Sequence, residues 1–326
     1  MHCVIVGFSA APNDKPKIIF DGDKKIFANN LNAYLLDAPN ILVESRSKPL
    51  CNVPPMIYGN KPADGGNFFL TAESREDFIK REPNAEKYIR QILGADEFIN
   101  GKLRYCLWLV DCPPNELRRM PLVYQRVKNV RDVRLASKAE AIRKFADVPT
   151  RFAQVTQPEG FDFILIPRVS SERRRYVPMG FISREVKVTD AVQIIPSAQV
   201  YHFGVLTSSI HMAWMRAVAG RLKSDYRYSG SVVYNNFPWC EPTAEQKNLI
   251  EQSAQKILDA RKNYPHATLA DLYDELTMPS DLRDAHKKND RAVAAAYGFE
   301  NFLDDEPKIV AELMKLYERL TNLAGN

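Results

Sequence analysis

The chain has no glycine-rich loop, no paired cysteines and no long apolar run, and each absence removes a class of function. Its 326 residues include 14 glycines, none arranged to cradle a phosphate. Gly7 alone follows an apolar run, too little for a nucleotide fingerprint. The 5 cysteines (Cys3, Cys51, Cys106, Cys112 and Cys240) are scattered, without a Cys-x-x-Cys pair. An odd, dispersed set argues against a disulfide framework and for a reducing, cytoplasmic setting. Histidine is equally scarce. His202 and His211, nine apart with no cysteine partner, lack zinc-ligand spacing, so no metal is expected. No stretch approaches the roughly 20 apolar residues of a membrane helix, and no signal-peptide pattern opens the chain. What remains, 45% hydrophobic and 26% charged residues, suits a globular protein large enough for two domains.

Charge is unevenly placed. The formal net charge is only +5. Residues 117–187 nevertheless carry 16 Lys and Arg against 7 Asp and Glu, whereas residues 241–326 carry 11 against 16. A basic middle followed by an acidic, helix-rich tail is the footprint of a nucleic-acid-binding module with a supporting domain. The densest part is residues 163–187, FILIPRVSSERRRYVPMGFISREVK. An apolar run ending at Pro167 reads as a buried strand, and 179–182 as a second. Between them Arg168, Ser170, Ser171, Arg173, Arg174 and Arg175 supply the forks and hydroxyls that grip phosphate oxygens. A solvated charged hairpin would carry the same composition.

Periodicity and turn chemistry suggest the remaining elements. Strands are expected at 1–9, 17–20, 41–44, 101–110 and 192–196. Thr71 reads as the N-cap of a helix, with a second helix at 84–93. Ser137 and Glu140 have capping-box spacing for a helix to Ala146. Residues 206–222 read as one buried helix, and 223–236 as a loop and strand pair turning at Gly230. Helices are expected at 243–263, from Thr268, and at 304–320. The fold class is therefore mixed α/β (α+β): a largely antiparallel recognition domain with packed helices, then a small all-α domain.

A complete active site is not apparent. Base-flipping amino-methyltransferases use an acid or amide, two prolines and an aromatic. Asn52-Val53-Pro54-Pro55-Met56 and Asp111-Cys112-Pro113-Pro114-Asn115 each have an extra residue and no aromatic, so both read as loop prolines. No glycine-flanked serine elbow supports a Ser–His–Asp triad.

Several segments together carry a resemblance: HCVIVGFS, LDAPNILVESRSKPLCNVPPMIYGNKPADGGNFFL, EKYIRQILGADEFINGKLRYCLWL, IPRVSSERRRYVPMGF and YRYSGSVVYNNFPW. In consistent order they resemble the C-terminal part of MmeI-like type IIL/IIG restriction–modification enzymes and related adenine-specific DNA methyltransferases. The resemblance implies that residues 1–15 are the terminal strand of an absent methyltransferase domain, 16–240 a DNA target recognition domain and 241–326 a helical C-terminal domain. It implies double-stranded DNA and the upstream methyltransferase domain as partners. S-adenosylmethionine would belong to the intact enzyme, with no cofactor in this chain, and whether that enzyme also cleaves DNA stays open.

The resemblance also implies three base-reading pairs: Arg168 with Asp190, Lys223 with Asp225, and Ala191 with Arg227. Arg or Lys donates to guanine and Asp accepts from cytosine, so a cation–carboxylate pair suits G·C. Ser170, Ser171, Arg173, Arg174, Arg175 and Tyr226 would then hold phosphates. Two other readings stay open. One is a free-standing hydrolase built on His202 or His211, the other a protein-interaction scaffold docking through the acidic tail.

Overall fold

The computed structural model describes residues 5–11 and 15–324. Its architecture is mixed, with small sheets and a C-terminal helical region. The central sheet forms where the sequence is most apolar. Phe163–Pro167 is buried at every position and lies between Val192–Pro196 and Gly180–Ile182, with Ile57–Tyr58 at the far edge. All its pairings are antiparallel. A strand buried on both faces reads as a continuous apolar run rather than an alternating one.

At Arg168 the chain leaves this sheet. Val169–Ser170 enters a second sheet, pairing with Asp225–Arg227, which in turn pairs with Gly220–Leu222. A third sheet orders Lys187–Val188, Ile89–Leu93, Arg104–Leu107 and Phe69–Thr71, and its first pairing is parallel. Helix Pro121–Leu135 covers it, sending Val123, Val127 and Val130 inward at helical spacing.

Some expected elements take another form. Residues 84–93 are not a helix: Pro83–Tyr88 is a 3-10 segment, and Ile89–Leu93 pairs as a strand that is buried on both faces, through Ile92 on one and Ile89 and Leu93 on the other. Residues 41–44 form no strand; their backbone is held by side chains, including Asn236 Nδ2 donating to the Glu44 carbonyl. No strand forms at residues 5–9, and residues 1–4 lie outside the described set. The 101–110 strand is confined to Arg104–Leu107.

Ser137 does not cap a helix. Its hydroxyl accepts from Ala139 N, and the one-turn helix Glu140–Arg143 starts after Ala139. The expected helix 206–222 is two helices, Val200–Leu206 and Ser209–Val218. Ser208 breaks the run by capping the second through the His211 amide. The turn expected at Gly230 falls instead at Lys223, whose φ is +57°, and Gly230–Tyr234 is a π-helical turn.

The helices Ala244–Lys262, Ser280–Tyr297 and Glu306–Ala324 do not stand apart. They share one apolar core with Val200–Leu206, Ser209–Val218 and the π-turn. A Cβ on Gly204 would lie 2.7 Å from the Ile250 side chain and 3.0 Å from Ala254 Cβ, so glycine permits this close crossing.

Candidate nucleic-acid interface

Arg168 is the pivot of the site because it is where the chain passes from one sheet to the other. Its amide donates to Ala191 O at 3.2 Å, and its carbonyl accepts from Tyr228 N at 2.8 Å. Its Nη1 donates to Asp190 O at 2.8 Å, and its guanidinium lies 5.0 Å from the Tyr58 ring centre. The half-buried fork is thus oriented by a carbonyl on one side and an aromatic face on the other. Asp190 and Ala191 occupy the turn between Thr189 and Val192, and Asp190 N donates to Asn60 O at 2.9 Å.

The other predicted readers lie on the adjoining hairpin. Lys223 is exposed at its tip, Asp225 is half-buried and Arg227 is exposed, with Arg227 opposite Val169. The strand pairing therefore sets Arg227 beside the Arg168 turn, with Asp225 and Lys223 further along the same hairpin.

The six predicted phosphate groups divide. Ser171 is half-buried and its hydroxyl accepts from Arg173 N, while the Arg173 side chain is exposed. Arg174 is half-buried, and burial lowers its pKa, offset by the carboxylates of Asp225 and Asp274. Arg175 points to the helical region, lining a cavity of about 390 Å³ with Arg216, Asp304 and Glu306. Ser170 and Tyr226 are buried at 2% and 7% exposure and pair across strands, and the guanidinium of Arg221 lies 3.7 Å from the Tyr226 ring centre. Their side chains serve the sheet interior rather than a solvent face.

Beside Arg168 opens a cleft of about 630 Å³ whose lining includes Arg46, Tyr58, Lys61, Gln154, Arg168 and Asp190. Gln193, 1% exposed and opposite Tyr58, also lines it, and its Oε1 has no hydrogen-bond partner. Sequence reasoning missed Arg46, Tyr58, Lys61 and Gln154. The available signal was weak: Tyr58 and Lys61 follow Pro54-Pro55 in a turn-rich segment, and Gln154 stands in an irregular one.

The histidines weighed for hydrolysis are structural here. His211 is fully buried, 2.9 Å from the Tyr228 hydroxyl, and burial pushes its pKa down to about 3. The Nδ1 of His202 accepts from Gln199 N at the start of its helix, and its pKa falls to about 4, by burial first and then by Lys247. Of the two proline pairs, Pro54 offers its carbonyl to the Tyr234 hydroxyl, and Pro113 caps the short helix Pro114–Leu117. Among the described residues no group of His, Cys, Asp and Glu is placed to hold a metal, and no helix is long and apolar enough to cross a membrane.

A strand-switching arginine thus lies beside a turn, a charged hairpin and a cleft that mixes apolar and charged groups. Residues 37–241 match the MmeI target recognition domain, and residues 242–324 match the MmeI C-terminal domain. The chain belongs to this family. It is 39% identical over 318 residues to DNA methyltransferase A of Bacillus subtilis (strain 168), an alignment covering 98% of the chain and 36% of that relative. A solved structure of the type IIL restriction–modification enzyme MmeI in complex with DNA superimposes with a TM-score of 0.91 at 44% identity. That match covers 95% of this chain and 42% of the enzyme. The chain thus spans well under half the length of either.

Proposed function

We propose that this chain reads the sequence of double-stranded DNA for a site-specific adenine-N6 methyltransferase of a bacterial restriction–modification system. The carrying observation is the strand switch at Arg168, which joins the turn of Asp190 and Ala191 to the hairpin that bears Lys223, Asp225 and Arg227. The DNA held by the related MmeI structure supports the same reading.

In this reading the Arg168 turn and the hairpin enter the major groove. Arg168 or Lys223 donates to guanine, and Asp190 or Asp225 accepts from the paired cytosine. Ala191 and Arg227 form the third pair. Arg173 and Ser171 contact phosphate, and Arg174 and Arg175 add to the local positive potential. Ser170 and Tyr226 act indirectly by holding Val169–Ser170 against the hairpin.

The partner for chemistry is a methyltransferase domain of the same protein, acting in the cytoplasm. S-adenosylmethionine would supply the methyl group there. The residues of this chain contain neither a glycine-rich loop nor an acid-Pro-Pro-aromatic motif to hold that cofactor or the flipped base. Their part is to position the duplex.

Selection from a randomised duplex pool, followed by sequencing, tests the reading. The wild-type chain should enrich a sequence containing fixed G·C pairs. Arg168→Ala should make one of them degenerate while the others persist. Enrichment of no sequence by the wild type would contradict the proposal.

A further inference from the structure

We infer that Lys61 and Gln154 form a further base-reading pair, specific for A·T, beside the pair formed by Arg168 and Asp190. The inference rests on the duplex-reading proposal above and extends it to residues outside the three predicted pairs.

The geometry is built by the backbone. Lys61 N donates to Gln154 O at 2.9 Å, and Gln154 N returns a bond to Lys61 O at 3.1 Å, an antiparallel bridge between distant segments. Directly opposed residues in such a bridge put their side chains on the same face, with Cβ atoms about 5 Å apart. Both residues are exposed, and both line the cleft that Arg168 and Asp190 also line. Neither side chain is used by the fold: among the described residues they make no hydrogen bond or ion pair.

Asn60 ties this bridge to the Asp190 turn. Its carbonyl accepts from Asp190 N, and its fully buried side chain is saturated. Nδ2 donates to Val188 O and Gln157 Oε1, while Oδ1 accepts from Thr156 N and Gln157 N. Beneath the bridge, Arg134 Nη2 donates to Pro62 O and Arg151 O, one residue from Lys61 and three from Gln154. Two exposed, unengaged polar side chains are therefore held on a rigid frame, the condition for a reader rather than a solubilising surface.

The residue types decide the base pair. A glutamine amide both donates and accepts, matching the adenine N7 acceptor and N6 donor in the major groove. A lysine ammonium only donates, matching thymine O4 on the opposite strand. Adjacent strands lie about 4.8 Å apart and base pairs about 3.4 Å. The A·T should therefore lie one or two steps from the G·C read by Arg168 and Asp190.

The test is selection from a randomised duplex pool by the chain and by Gln154→Ala. Wild type should fix an A·T one or two steps from the position that Arg168→Ala relaxes. Gln154→Ala should make that A·T degenerate, leave the other positions fixed and weaken binding to the wild-type site about 5- to 150-fold. Its thermal unfolding should match wild type, because the side chain has no partner to lose. An unchanged consensus with Gln154→Ala would overturn the inference and leave the DNA reading standing. A wild-type chain that enriches nothing would overturn both.

Discussion

Two buried polar hubs hold the two halves of the molecule, and they carry opposite charge. In the sheet half, Arg134, in the last turn of helix Pro121–Leu135, is fully buried and donates to five carbonyls: Pro62, Ala63, Phe145, Val148 and Arg151. In the helical half, Asp290 is 3% exposed and accepts from the Tyr176 hydroxyl at 2.6 Å and from Ser209 N at 2.7 Å. The arginine gathers turn and loop segments, adding a donor to carbonyls that regular strand pairing does not satisfy. The aspartate joins regular elements: it sits on Ser280–Tyr297, receives the first amide of Ser209–Val218, and fixes the residue after Arg175. The contrast teaches that the cleft side depends on a side chain for its backbone order, whereas the helical side uses its charge to dock preformed pieces.

Tyr176 extends that docking. Its ring stacks on His286 at 4.1 Å, and His286 lies 2.9 Å from the Tyr273 hydroxyl. Arg261, from Ala244–Lys262, donates to Met179 O at 2.6 Å. Both ends of the segment that follows the Arg-rich turn are thus gripped by the C-terminal helices. A tail that looks separable from its composition is part of the scaffold for the basic loop.

The largest expected effect separates the hubs. Arg134→Ala removes hydrogen bonds to five carbonyls, of which Pro62, Phe145 and Val148 keep a backbone donor, and should cost about 3–5 kcal/mol in denaturant unfolding. Hydrogen exchange should then rise first around residues 62–63 and 145–151. Asp290→Ala leaves one amide and one hydroxyl unpaired, and roughly 3 kcal/mol is expected, with exchange rising around Ser209 instead. Equal losses with the same exchange map would dissolve the distinction.

An intermediate effect comes from the base-reading side. Arg168→Ala should weaken binding to the selected site by about 1–3 kcal/mol and relax one base pair, while leaving unfolding near wild type. Acid should probe the helical side. His211 and His202 have folded pKa values of about 3 and about 4, below the usual 6.5. Above pH 6.5 both states hold them neutral. As pH falls below that value the unfolded chain takes up protons that the folded chain refuses, so stability drops toward pH 3. Each neutral histidine should contribute about 1.4 kcal/mol per pH unit. His211→Gln should flatten part of that slope in a pH series of melting curves.

Legibility divided along the same line. Phe163–Pro167 and Val192–Pro196 were readable because apolar runs bounded by proline leave few alternatives. The helix from Thr243 was readable from its amphipathic pattern, and the structure adds a capping box between Thr243 and Gln246. Pro121–Leu135 was hidden by its charge, although Pro121 at its start and the valine spacing were present. Ile89–Leu93 was misread because only the sheet, not the local pattern, distinguishes a short apolar strand from a helix end. For the site, residue chemistry and the family resemblance pointed to Arg168, Asp190, Lys223 and Asp225. The cleft beside Arg168 and Asp190 was not legible, because Lys61 meets Gln154 only through a long-range bridge.

The smallest mutational effect bears most directly on the central claim that this chain holds DNA, with Arg173 of the Arg-rich turn on the phosphate backbone. The measurement is fluorescence anisotropy of duplex binding across a salt series, for wild type and Arg173→Ala. Affinity should fall steeply and log-linearly with salt, and Arg173→Ala should weaken all duplexes alike while reducing the slope by about one unit. Binding that ignores salt, or an Arg173→Ala chain that changes sequence preference with an unaltered slope, would contradict the account.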